Sequence, residues 1–153
     1  MNNVGLEYRG VKGWLLVLCV CLCILDPAAI FFNLIHATNL ARADFDKNPA
    51  LLRLIVTNGF FSIGFLVFSL YAGVSLWRLH PRAVTYAKRY FICASLYAVV
   101  SVFLPELFGL PEANRKVVAA ASIVNTFLTV LYMGAWYLYL LRSKRVAATY
   151  GQR

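Results

Sequence analysis

The hydrophobic positions of this chain gather into four long runs, about residues 13–35, 51–77, 90–108 and 117–141, and these runs are almost empty of charge. A helix needs roughly 20 mostly apolar residues to cross the hydrocarbon of a bilayer, and each run reaches that length. The connections are short and carry the chain breakers: Pro49, then His80-Pro81, then Pro105 and Pro111. The pattern predicts an all-α membrane protein, a single domain over 1–153 built as a bundle of four transmembrane helices. The first run is too long for the roughly 7–15-residue core of a signal peptide, and no small-x-small cleavage site follows it, so it reads as a true span.

Composition supports this reading. Apolar residues make up 61% of the chain, against about 45–50% in soluble domains. The net charge of +9 is unevenly spread. Ten basic residues fall on one side of the predicted membrane: Arg9 and Lys12 in the N-terminal tail, Arg78, Arg82, Lys88 and Arg89 in the second connection, and Arg142, Lys144, Arg145 and Arg153 at the C-terminus. The other side carries five, Arg42, Lys47, Arg53, Arg115 and Lys116, together with Asp44, Asp46, Glu106 and Glu112. The positive-inside rule then places both termini in the cytoplasm. Basic residues confined to span boundaries, with aromatics inside lipid-length runs, argue against a nucleic-acid partner and for membrane lipids as the partner. Trp14 and Trp77 suit the interfacial belt.

Helices in lipid associate through close packing and polar contacts, because lipid is as apolar as leucine. The second run offers Gly59, Ser62, Gly64, Ser69, Ala72 and Gly73, with Ser69 and Gly73 as a small-xxx-small pair. The fourth offers Ala119 to Ser122 and Gly134.

Two terminal motifs carry a resemblance. Gly10-Val11-Lys12-Gly13-Trp14-Leu15-Leu16 leads into the first run, which contains Pro27; Ser143-Lys144-Arg145-Val146 and Thr149-Tyr150 follow the last. The chain resembles a bacterial four-span inner-membrane family, the domain of unknown function 2569, over nearly its whole length. It departs from that pattern at Lys12, where a small residue is expected, at Tyr150 in place of phenylalanine, and at Asp26 before the proline. The resemblance implies a multi-pass protein of the bacterial inner membrane and no particular activity. Read physically, Ser143, Lys144 and Arg145 form a cytoplasmic anchor or a docking motif. Cations just past a helix C-terminus complement its dipole and meet anionic headgroups, at about 1 kcal/mol per basic residue near the surface.

Candidate chemistry is sparse. Cys19, Cys21 and Cys23 alternate in the first run, and Cys93 lies in the third. There is no C-x-x-C, the outer loops hold no cysteine, and His36 and His80 fall at opposite membrane surfaces. The cysteines therefore read as packing residues rather than a metal or redox centre, and no cofactor is predicted. No nucleophile, base and orienter can be named together, so catalysis is not expected.

Asp26 is the costly residue. It lies about 20 Å into the first span, where insertion scales charge about 2.5–3.5 kcal/mol for an aspartate. Pro27 removes a backbone donor beside it and is a predicted kink. Asn33, Asn58, Asn125 and Glu106 fall in the outer half of the same membrane. Two arrangements are open. In one, a water-filled cavity faces the periplasm with Asp26 at its floor. In the other, the asparagines bond between helices and Asp26 is protonated against a carbonyl. The functional expectation is a non-enzymatic protein that binds a lipid, a small ligand or a partner, the partner being another membrane protein or a second copy of the chain (a homo-oligomer). The alternative is a small proton- or cation-coupled transporter using Asp26, and a redox or metal protein ranks below both.

Overall fold

The computed structural model describes residues 10–42 and 48–151, with the backbone alone described at 40, 113–117 and 119. Arg9, Asp44, Asp46, Lys47 and Arg153, used above to orient the chain, lie outside the described residues, and the Arg115 and Lys116 side chains lie outside them too.

Regular structure among the described residues is helical throughout. It comprises α1 (Trp14–Val20), one π-helical turn (Cys21–Leu25), α2 (Asp26–Ala41), α3 (Pro49–Trp77), α4 (Ala83–Ser101), α5 (Leu104–Leu107), α6 (Glu112–Arg142) and α7 (Lys144–Tyr150). Among the described residues, three stretches are long and apolar enough to cross a membrane: Trp14–Asn39, Pro49–Trp77 and Ala120–Arg142. α4 is shorter, and Lys88 and Arg89 interrupt its apolar positions. Its bounds differ from the 90–108 read from the sequence at both ends. Lys88 and Arg89, read as part of a connection, sit inside the helix. At the other end, Pro105 has no N–H to give the Ser101 carbonyl four residues back. The helix stops at Ser101, whose hydroxyl turns back onto the Ala98 carbonyl at 2.7 Å.

Pro49 opens α3 at a position where a missing N–H costs nothing. The same helix ends with Leu79 in the left-handed region, at φ 54°. The His80 N–H reaches back to the Ser75 carbonyl at 3.0 Å and the Leu79 N–H to that of Leu76 at 3.1 Å. This closes off the last carbonyls before Pro81, with leucine where glycine usually stands.

The outside of the molecule is strongly apolar. Phe32, Phe60 and Leu107 are 68%, 76% and 78% exposed, and many aliphatic side chains of α2, α3 and α6 are also open. An apolar surface this continuous belongs in lipid rather than water.

Inside, packing is concentrated at one end. Leu15, Leu18, Cys19 and Leu22 meet Ala72 and Leu76 of α3, Val84, Tyr90 and Phe91 of α4, Met133 and Leu140 of α6, and Val146 of α7. This is the closed end, where α1 begins and α7 finishes. At the opposite end, among the described residues, Leu54, Leu104 and Leu110 form a small buried cluster. α2 packs on α3, α3 on α4 and α4 on α6, whereas among the described residues α2 and α6 make no extended contact. The helices are therefore gathered at the closed end and open between α2 and α6 at the other.

Gly73 makes the closest crossing. A Cβ there would stand 2.5 Å from Cys23 Sγ and 3.2 Å from the Cys23 backbone nitrogen. Nothing larger than hydrogen fits where α3 crosses the π turn.

Candidate functional site

The π turn and Pro27 are linked. The Asp26 N–H bonds to the Cys21 carbonyl, five residues back, instead of to Leu22. In that register the next donor, for Leu22, would be residue 27, and proline has none. The orphaned Leu22 carbonyl is taken by Ser69 of α3, whose fully buried hydroxyl donates to it at 2.7 Å. The proline thus wound the helix differently rather than leaving a bare carbonyl in the membrane interior, and the small residue of α3 supplied the missing donor.

Asp26 follows the π turn directly. It is 8% exposed. The Tyr132 hydroxyl of α6 donates to its Oδ1 at 2.9 Å, and the Tyr90 hydroxyl of α4 donates to its Oδ2 at a longer 3.2 Å. The carboxyl therefore joins three elements, and its contact with Tyr132 bridges α2 and α6, which otherwise barely meet. Tyr90 is itself held edge-on by Phe68, with ring centroids 5.6 Å apart.

Beyond this clasp, toward the open end, lies a cavity of about 330 Å³. Each long helix contributes polar groups to it: Asn33 from α2, Asn58 and Ser62 from α3, Tyr97 and Ser101 from α4, and Ser122 and Asn125 from α6. The Tyr97 hydroxyl donates to Asn58 Oδ1 at 2.6 Å, and its ring packs at a tilt against Phe61 and Phe65. Thr126 ties α6 to the Ala98 carbonyl of α4 at 2.8 Å. Asn33 and Asn125 are exposed while lining the cavity, which puts its mouth between α2 and α6.

The structure brings Asn33, Asn58 and Asn125 into one cavity. Asp26 is not among the lining residues, and neither is Glu106, which is exposed on α5 beside the lining Pro105. A floor formed by Asp26 is thus replaced by a separate, tyrosine-capped carboxyl. No buried side-chain nitrogen or oxygen among the described residues lacks a hydrogen-bond partner. All four cysteines are free, with Cys19 and Cys21 buried and Cys93 exposed. No three of His, Cys, Asp and Glu come together among the described residues.

The terminal motifs meet. Ser143 breaks the long α6 with an extended backbone, and its Oγ accepts from the Val146 N–H at 3.3 Å, starting α7. α7 folds back so that Val146 is buried, and the Tyr150 hydroxyl donates to the Leu76 carbonyl at 2.6 Å. The Arg145 guanidinium lies against Gly13, 3.5 Å from where a Cβ would stand, and Gly13 holds φ +60°. Only glycine adopts that backbone with ease. Lys144 is the exposed member of the motif. Burial pushes the Tyr150 phenol above its ordinary value, with smaller contributions from Cys19 and Tyr139.

Sequence reasoning missed the tyrosines. Tyr86, Tyr90 and Tyr97, spaced by four and seven, share one face of α4, and that spacing was the available signal.

An all-helical chain with an apolar exterior and a polar cleft among its helices has the character of a membrane protein. The sequence model of one family, described as protein of unknown function (DUF2569), matches residues 8–151, and the chain belongs to that family. No curated protein and no solved structure matches it.

Proposed function

We propose that the chain is a four-span protein of the bacterial cytoplasmic membrane, with both termini inside. Its role in this reading is to hold a small ligand or lipid in the cleft on the periplasmic side, without catalysis. α4, at 19 residues, is about 28 Å long at about 1.5 Å per residue, enough for the fourth crossing. Lys88 and Arg89 would then reach the interface along their aliphatic stems. The closed end gathers Lys12, Arg78, Arg82, Arg142, Lys144 and Arg145, which supports a cytoplasmic position for it.

The observation that carries the binding reading is the cavity of about 330 Å³ with amide and hydroxyl groups from four helices. Its size falls at the small end of ligand pockets. Asp26, capped by two phenols outside that lining, supports a strut rather than a proton or cation carrier. A partner protein or a second copy has no specific support beyond the exposed apolar faces.

Native mass spectrometry of the full chain, released from membranes in mild detergent, tests the reading. The wild type is expected to carry a bound species that Ser122→Phe, which fills the cleft, loses. A wild type that carries nothing, or a Ser122→Phe variant that carries the same species, refutes it.

A further inference from the structure

The chemistry of the cleft narrows what it takes. Among the described residues, none that lines it is Asp, Glu, Lys, Arg or His. A charged group entering it would lose water without gaining an opposite charge, which is expensive in a membrane interior. Hydroxyl groups fare differently. Asn58 spends its Oδ1 on Tyr97, leaving its NH₂ as a donor and the Tyr97 oxygen as an acceptor. Ser101 spends its proton on the Ala98 carbonyl and keeps its lone pairs. Asn33, Ser122 and Asn125 add donors and acceptors of both kinds. A ligand with several uncharged hydroxyls can satisfy such a surface.

The mouth shows where that ligand comes from. It lies between α2 and α6, marked by the exposed Asn33 and Asn125. Phe32 and Ile35 flank Asn33, and Phe127 and Leu128 follow Asn125, all four of them exposed. An opening edged in this way faces hydrocarbon. The cavity, about 330 Å³, equals the liquid volume of on the order of ten waters. It accommodates a headgroup while leaving acyl chains outside, along the seam between the two helices.

We propose that the cleft binds the uncharged, polyhydroxyl headgroup of a lipid that enters from the bilayer between α2 and α6. This rests on the cleft being a binding site.

The test uses the full chain in nanodiscs, with lipid retention read by native mass spectrometry. The probes are a monoglucosyl diacylglycerol, phosphatidylglycerol, and methyl glucoside as the free headgroup. The glucolipid should be retained at least tenfold over phosphatidylglycerol. Retention should fall at least tenfold in Asn125→Leu and in Asn33→Leu, both at exposed positions where leucine meets lipid without disturbing the core. Equal retention of the two lipids overturns the proposal, and so does retention unchanged by either variant. Competition by methyl glucoside at equal concentration assigns the ligand to water, which overturns the lipid source and leaves the cleft a binding site. A bound species that no cleft substitution alters, Ser122→Phe included, overturns the cleft reading as well.

Discussion

Ser69→Ala removes one oxygen from a fully buried site and changes almost no volume, so it takes away the bond to Leu22, together with a contact to the Tyr90 side chain that is common to both backgrounds of the cycle below. The Leu22 carbonyl then has no donor: the Asp26 N–H is committed to Cys21, and residue 27 is proline. A buried polar group left without a partner costs about 1–3 kcal/mol. Side-chain hydrogen bonds in membrane proteins average nearer 0.6 kcal/mol, with a maximum of about 1.7. That average is low because groups in the unfolded state within the membrane also find partners. The tight crossing of α3 over the π turn offers none, so about 1–1.7 kcal/mol is expected, roughly a five- to twenty-fold fall in the folded-to-unfolded ratio. Pro27→Ala supplies the control, because it returns an N–H to the chain. In that background Ser69→Ala should cost less than about 0.5 kcal/mol, giving a coupling near 1 kcal/mol. Equilibrium unfolding of the four proteins in mixed micelles measures the cycle. Equal losses in both backgrounds would refute the link between the proline, the π turn and the serine, as would no loss in the first.

Gly73→Ala should destabilise by about 1–3 kcal/mol, because its Cβ meets the Cys23 backbone as well as its sulfur. Gly64→Ala, with nothing within 4 Å, should be neutral or slightly stabilising in the same unfolding assay. Tyr150→Phe should release α7 at a cost of about 1 kcal/mol, read as faster proteolysis after Arg145. The phenol's folded value is raised, so its contribution is complete below the ordinary value of 10 and fades as pH climbs above that toward the folded value. α7 of the wild type should accordingly loosen only above about pH 10, and Tyr150→Phe should show no such loosening.

Polar residues stood out in the sequence because lipid-length runs tolerate few of them. That made Asp26, Asn33, Asn58 and Asn125 legible, and three of the four line one cavity. The partners of Asp26 were not legible, since a tyrosine in an apolar run reads equally well as packing, and Tyr132 lies 106 residues away. The start of α4 was hidden for a related reason. In lipid both faces of a helix are apolar, so the amphipathic period that marks helix limits in soluble proteins is lost, and Lys88 and Arg89 passed for a connection. The π turn was only half legible. Pro27 announced a missing donor, but whether the helix would kink or rewind depended on Ser69, 47 residues further on.

The separation of Asp26 from its phenols also has a meaning in time. Synthesis proceeds from the N-terminus at about 5–20 residues per second, so Tyr90, 64 residues later, follows Asp26 by about 3–13 s. Tyr132, 106 residues later, follows it by about 5–20 s. Until Tyr90 is made the aspartate has neither of these phenols to bond, and the first helix must carry it on the strength of its own apolar residues. The apolar surplus of Trp14–Asn39 is thus a requirement of the order in which the chain is made.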